Sequence, residues 1–352
     1  MNLPREAWNI SPEDFPADGT SEEKLWFLVR YAVLAPSSHN TQPWLFRIHG
    51  NVIELHADLI RALPVVDPDN RELIMSCGAA LFHLRVAIEY FGHACQIKTF
   101  PETSDPNLLA RLHLGFKTET DAEDVVLFDA IPKRRTNRLP FRDEPVPDEL
   151  LSALSAVALR EGAWFEVVRG DEARYGVADL VAKADRVQWS DKAFRAELAH
   201  WLHPNRSDSR DGIPGYAQGT NSLPAYAGPL VIRIFDLGNG RAAKDWDIAV
   251  GSPVLAVLGT YGDAPQDQLA AGQALASVLL RARAEDVWAS FLNQPIEVPD
   301  LRTRLCSVIG REGFPQLLLR MGYGTEVEAT PRRPLKEFIV RSTPHTVALT
   351  PA

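Results

Sequence analysis

Three short stretches of this chain concentrate residue types that could do chemistry. The first is APSSHNTQPW, residues 35–44, where Ser37, Ser38, Asn40, Thr41 and Gln42 put five hydrogen-bonding side chains into one connection behind Pro36. Pro, Ser and Asn are ordinary turn formers, so a plain polar turn accounts for the composition taken alone. The density of donors and acceptors also suits a flat heterocycle with nitrogen and oxygen along its edge. The second stretch is PKRRTNR, residues 132–138, with Arg134, Arg135 and Arg138 grouped around Thr136. It fits a solvated basic face and equally a phosphate, to which guanidinium binds bidentately while threonine adds a hydroxyl. The third, TPRRPLKEF, holds Arg332 and Arg333 between prolines in residues 330–338, and a basic tail is its commonplace explanation.

These stretches need elements to position them. Thr20 and Glu23 have capping-box spacing, and the apolar stripe Leu25, Leu28, Val29, Ala32 and Val33 predicts a helix that Pro36 stops. Strand patterns at 44–48 and 52–56 flank His49-Gly50-Asn51 as a hairpin. A second helix is predicted from Arg71 to Tyr90, closed by Gly92, and strands at 96–100 and 109–114. Residues 129–146, rich in Pro and Arg, look like a crossing between halves. After them Pro147, Asp148 and Glu149 open a helix, with the proline expected at its first position, and 164–168 is strand-like.

Part of this order repeats. GAALFHLRVAIEYFG (78–92) resembles GQALASVLLRARAED (272–286), and WLFRI (44–48) resembles WFEVV (164–168). The polar loop of the first half has no counterpart in the second, which instead carries about seventy extra residues between strand and late helix. Within them, residues 203–228 are rich in Gly, Pro, Ser and Asn, and a loop that long is expected to be a functional lid or disordered.

Composition bounds the function. The chain has 352 residues, 45% hydrophobic and 24% charged, enough for two units or one elaborated unit. A net charge of −9 argues against broad nucleic-acid binding, which needs a basic surface. Cys77, Cys95 and Cys306 lack metal-ligand spacing and are expected to be buried thiols in a reducing compartment. The first twenty residues lack the apolar core of a signal peptide, and no apolar run approaches a membrane span, so a cytoplasmic location is expected.

Taken together and in chain order, the PSSxNxQPW loop, the RRxxR segment and the terminal GYG…PRRP resemble the nitroreductase superfamily. DPDNRELIMSCGAAL, RRTNR, DGIP and FLNQPIE narrow the resemblance to its Acg-like twin-domain branch, over nearly the whole chain. The resemblance implies an α+β fold of two nitroreductase-like half-domains, residues 1–128 and 129–352, each an antiparallel sheet flanked by helices. They would pack in one monomer as an internal dimer. It implies FMN as cofactor, NAD(P)H as donor and a small aromatic or conjugated substrate, with no nucleic-acid or membrane partner and the flavin carrying the chemistry. Ordinary members build two FMN sites from two subunits. Here the PSSxN loop survives only in the first half, and RRTNR and PRRP only in the second, which leaves one complete site.

Carried over by motif, Arg134, Arg332 and Arg333 would hold the FMN phosphate, and Arg135 and Thr136 the ribityl chain and ring edge. Arg138 would place a cation by the flavin pyrimidine, stabilising the anionic reduced ring. Pro36, Ser37, Ser38 and Asn40 would contact the ring from the other half, and Leu292, Asn293 and Gln294 its inner face. Thr136 stands where serine is usual, and the long lid leaves a second possibility open, a protein that sequesters FMN with little turnover. A third possibility rests on Gly238-Asn239-Gly240-Arg241-Ala242-Ala243, which satisfies the GxGxxA of a Rossmann dehydrogenase with Asp263 downstream. A strand end at 230–235 followed by a Gly-Asn-Gly turn is the preferred account. His200 and His203 lack a third ligand and are expected on a helix surface.

Overall fold

A computed structural model of the protein describes residues 3–205, 207–218, 233 and 237–340. Ten helices are described here, α1 (Ser21–Ala32), α2 (Arg71–Tyr90), α3 (Ala122–Ala130), α4 (Asp148–Arg160), α5 (Asp171–Ser190), α6 (Lys192–Trp201), α7 (Gly238–Val250), α8 (Pro265–Ala284), α9 (Gln294–Glu297) and α10 (Pro299–Ile309). The strands are β1 (Trp44–His49), β2 (Val52–Ala57), β3 (His93–Thr99), β4 (Leu108–Lys117), β5 (Trp164–Val167), β6 (Leu202–His203), β7 (Ile213–Pro214), β8 (Val254–Thr260), β9 (Trp288–Phe291) and β10 (Phe314–Gly322).

Local rules account for the first half. The Thr20 side chain accepts from the Glu23 amide and Glu23 answers to the Thr20 amide, so α1 starts at the predicted cap. β1 buries alternate residues and pairs with β2 around Gly50, whose φ of 58° a side chain would strain. α2 spans the predicted residues, and Gly92, φ 70°, follows its end. Among the described residues α2 is the one helix long and apolar enough to cross a membrane, yet 78% of its most apolar window is buried in protein.

The two main sheets share one plan. The first has order β1-β2-β4-β3 and the second β5-β8-β10-β9, and every neighbouring pair is antiparallel. In each half a long helix, α2 or α8, follows the second strand of the order. These are the two segments whose sequences resemble each other, and β1 and β5 occupy matching edges. In the second half α5, α6 and α7 lie between β5 and β8, where the first has only a hairpin turn. β8 is buried at every residue because α4 and α8 cover one face of its sheet while α5 and α10 cover the other. A strand covered on both faces has no reason to alternate, which explains the run VLAVLGT.

α2 and α8 cross at Gly78 and Gly272. A Cβ on Gly272 would stand 2.0 Å from the Met75 carbonyl oxygen, and one on Gly78 2.2 Å from that of Leu269. Contact this close is backbone against backbone, so no side chain can move aside. We expect Gly272→Ala to destabilise the protein by about 2–3 kcal/mol in urea titration, the upper range for overpacking. A loss below about 0.5 kcal/mol would contradict the close crossing.

Several sequence expectations need correction. Pro147 is the residue before α4, not its first helical position. Gly238-Asn239-Gly240 is no turn after a strand but the first turn of α7. With both main sheets antiparallel, the Rossmann reading fails, since that fingerprint joins parallel strands. The strand expected at 230–235 lies outside the described residues except Arg233, which is helical. Cys77 is buried, whereas Cys95 and Cys306 are half-buried. His200 is exposed on α6, but His203 lies on β6, its Nε2 3.7 Å from Asp211 Oδ1.

Candidate functional site

The PSSHN loop bridges α1 and β1 under strain. His39, Asn40 and Gln42 have φ of 49°, 56° and 53°, a conformation that costs non-glycine residues free energy and persists only when neighbours enforce it. The enforcement is visible. Ser37 Oγ accepts from the Gln42 amide at 3.0 Å, the Ser38 amide donates to Ser76 Oγ, and Ser38 Oγ donates to Glu72 Oε2. Asn40 Nδ2 donates to the carbonyls of Gly212 (3.0 Å) and Pro331 (3.1 Å), and Gln42 Nε2 to that of Arg210 at 2.9 Å. Asn40 and Gln42 therefore brace the loop against the DGIP and PRRP segments rather than offering a free polar edge. Pro36, Ser37, Ser38 and His39 face the space left open.

That space is a cavity of about 680 Å³, within the usual range for a ligand site. Thr136, Arg138, Asn293 and Gln294 line it together with Pro36, Ser37 and Ser38, so both halves contribute. A recess of about 40 Å³ shares Pro36, Ser37, Thr136 and Arg138 with it and adds Asn40, Arg134, Arg135 and Arg332. Since a water needs roughly 10–15 Å³ by the same kind of measure, the recess has room for about three waters or a small polar group. Glu328 also lines it.

The arginines are positioned by backbone. Thr136 bridges to Ala289, and the Asn137 amide donates to Ala289 O at 3.0 Å, which lays RRTNR along β9. Arg134 Nη2 donates to Leu34 O at 3.1 Å, while its Nε is buried with no partner among the described residues. Burial first, and then the Arg135 charge, pull the Arg134 pKa down to about 9. Arg135 stacks on Trp8, with 3.7 Å between its guanidinium carbon and the ring centre. Arg138 Nη1 donates to Ala217 O at 2.8 Å, and burial and the Arg241 charge pull its pKa down to about 10. A buried cationic cluster with an unmet donor is the surrounding an anion needs.

Arg332 differs. Its Nε donates to Val33 O, its Nη2 to Leu34 O and Ala35 O, and its Nη1 to Asn40 Oδ1, Thr330 Oγ1 and Pro331 O, all within 3.1 Å. Its donors are committed to closing the α1 terminus. Arg333 lies outside both cavities, over the Phe338 ring and beside Gln42, Glu337 and Asp58. Leu292 is likewise outside, packed in the second-half core with its amide on Leu318 O.

The described part of the expected lid, to residue 218 and without 206, closes against the PSSHN loop. Gly212 N donates to Asn40 O, Arg61 Nη1 joins Asp211 Oδ2 (2.8 Å) to Thr41 O (2.9 Å), and Ile213 lines both cavities. Residues 219–228 of that segment lie outside the described residues.

Sequence reasoning missed much of the cavity wall. His39, Glu72, Asp185, Gln188, Arg241, Lys244 and Glu297 all line it. Burial, followed by the Arg138 charge, pulls the His39 pKa down to about 4. Burial and the Glu72 charge push the Glu297 carboxyl up to about 8. Glu297 stands in FLNQPIE, but nothing local marks Asp185 or Lys244, which reach the cavity from helices of the insertion.

No family model matches the chain. It is 33% identical over 313 residues to "Putative NAD(P)H nitroreductase Rv3131" of Mycobacterium tuberculosis, covering 88% of each chain. It is 31% identical over 330 residues to that organism's "Putative NAD(P)H nitroreductase acg", covering 90% of this chain and 96% of the other. The crystal structure of the FMN-dependent nitroreductase NfnB from Mycobacterium smegmatis in complex with NADPH aligns over 62% of this chain and 99% of its own, at 18% identity and a TM-score of 0.39. With full-length relatives above 30% identity and the resembling motifs gathered around one cavity, the chain belongs to the Acg-like branch of the nitroreductase superfamily.

Proposed function

We propose that the protein is an FMN-dependent oxidoreductase that passes two electrons from NAD(P)H to a small aromatic or conjugated acceptor. One observation carries the reading. A cavity of ring size, walled by Pro36, Ser37 and Ser38 from one half and Thr136, Arg138, Asn293 and Gln294 from the other, adjoins a recess lined by Arg134, Arg135 and Arg138. The residues fit the cofactor. Arg134 and Arg135 would hold the phosphate, and Arg138 would set a cation beside the ring. FMN, when bound, supplies the two-electron carrier. The chain supplies orientation through the strained, braced loop, exclusion of water through Ile213, and positive charge that favours an anionic reduced ring. The relatives' names support NAD(P)H as donor. FMN sequestration gains no support from the described residues.

The test is a flavin titration of the purified monomer followed by NADH and NADPH oxidation with a nitroarene or quinone. About one FMN per chain is expected, retained on dilution, because the mirror-related position lacks both the loop and the arginines. Two tightly bound flavins per chain would refute the single composite site. A flavin-loaded protein that turns over with neither nucleotide would move the assignment to storage.

A further inference from the structure

On the wall of the large cavity the second-half insertion places a carboxyl that the flavin reading does not use. Asp185 of α5 is 1% exposed, yet it lines the cavity. Its Oδ1 accepts from Gln294 Nε2 at 3.4 Å, and its Oδ2 has no partner among the described residues. The same Gln294 amide nitrogen donates to Asp245 Oδ2 at 3.1 Å. Asp245 of α7, also 1% exposed, takes Arg241 Nε at 2.9 Å. Two buried carboxyls thus share one glutamine amide, and the one arginine bonded to either among the described residues is bonded to Asp245.

The other charges bearing on Asp185 are few. Arg186 follows it on α5, and Arg241 approaches from α7. From α9, Glu297 Oε2 accepts from Gln188, which lies on α5 near Asp185. Two anions cannot be held side by side in this setting at low cost, so one of them keeps a proton. Burial first, and then the Asp245 charge, push Asp185 up to about 7. A neutral carboxylic acid is a donor, and none of the described residues accepts from Oδ2. Gln294 Oε1 beside it is likewise without a partner among the described residues, and both side chains stand on the cavity wall, where a ligand atom can accept the proton. Rotation about χ2 of aspartate is soft and lets either oxygen turn to it.

We propose that Asp185 is the proton donor to the acceptor that is reduced in this cavity. This rests on the flavin reading. Bound flavin, once reduced by NAD(P)H, would supply the hydride electron pair to the substrate. The Asp185 O–H bond breaks, its electron pair stays on the carboxyl, and the proton forms a new bond to the substrate acceptor atom. A quinone becomes a hydroquinone. A nitro group, with one hydride and one proton, becomes a nitroso group and water. The Asp185 carboxylate then regains a proton from solvent. Gln294 positions the carboxyl through Oδ1.

The sign of the pH dependence follows. The acid form is present below about 7 and lost above it, so substrate reduction slows as pH rises through that value. The experiment separates the half-reactions of the FMN-loaded protein by stopped flow, with menadione as acceptor. Asp185→Asn is expected to leave reduction of the flavin by NAD(P)H within about twofold and to slow its reoxidation by about 100-fold or more, the range for losing a general acid. The variant should also lose the fall in rate above pH 7. Reoxidation at the wild-type rate with the wild-type pH profile would overturn the assignment while leaving the flavin reading intact. A wild-type protein that binds no FMN overturns both. Should the variant fail to fold, the wild-type profile decides, and a reoxidation rate constant from pH 5.5 to 8.5 overturns the proposal.

Discussion

Arg134→Ala is expected to weaken FMN binding by about 2–5 kcal/mol, the cost of truncating one partner of a buried charge pair, and to leave riboflavin binding almost unchanged. The geometry separates this from a folding defect. Among the described residues Arg134 holds one carbonyl, Leu34 O, which also receives Arg332 Nη2 at 3.1 Å, so removing Arg134 strands none of them. Its charge stands buried among Arg135 and Arg332 with no carboxylate paired to it among the described residues, and burial and the Arg135 charge pull its pKa down. A base with a lowered folded-state pKa costs stability at neutral pH, and that cost is relieved as pH rises through the folded value or when an anion arrives. The variant without cofactor should thus melt no lower than wild type at pH 7, while FMN should raise its Tm far less. Isothermal titration with FMN and riboflavin measures the difference. Equal losses for both ligands would show that Arg134 acts on the ring or on the fold.

Arg332→Ala is expected to do the reverse, lowering stability by about 1–3 kcal/mol whether or not FMN is present, because the carbonyls it strands outweigh the relief of its own buried charge, whose pKa burial and then Arg134 pull well down. Val33 O and Ala35 O each accept from Arg332, which is buried at the end of α1. An unsatisfied buried acceptor costs about 1–3 kcal/mol, and Asn40, which holds the strained loop, loses its Oδ1 donor as well. Arg332→Lys should recover little, since one ammonium cannot replace a planar fork that reaches carbonyls on two sides. Denaturant midpoints with and without FMN test the claim. If Arg332→Ala instead lost FMN affinity as Arg134→Ala does, at a stability cost below about 1 kcal/mol, its place among phosphate ligands would stand.

These two variants mark where motif reasoning and structure part. RRTNR and PRRP look alike as sequence, pairs of arginines flanked by prolines or polar residues. Nothing in either says which guanidinium keeps a free donor. That depends on where the carbonyls at the end of α1 fall, and they are about three hundred residues away in the chain from Arg332. Arg333, expected at the phosphate, turns to Phe338 because the segment after it returns to β1, with Phe46 N donating to Phe338 O and Val340 N to Phe46 O.

Local chemistry determined the start of α1, the β1–β2 hairpin, the whole span of α2 and the relation between the two half-folds. Each depends on interactions within a few residues or on a periodicity the chain carries along its length. The motifs that mark the cavity's two sides were legible for the same reason. Only tertiary structure decided that Asn40 and Gln42 brace rather than present, that Gly238 begins a helix, and that Gly78 meets Gly272. It alone brought Asp185 from the insertion onto the cavity beside Gln294. A residue's burial and its partners there depend on segments far off in sequence, and no pattern within the neighbourhood of Asp185 records that its second oxygen will lack one among the described residues.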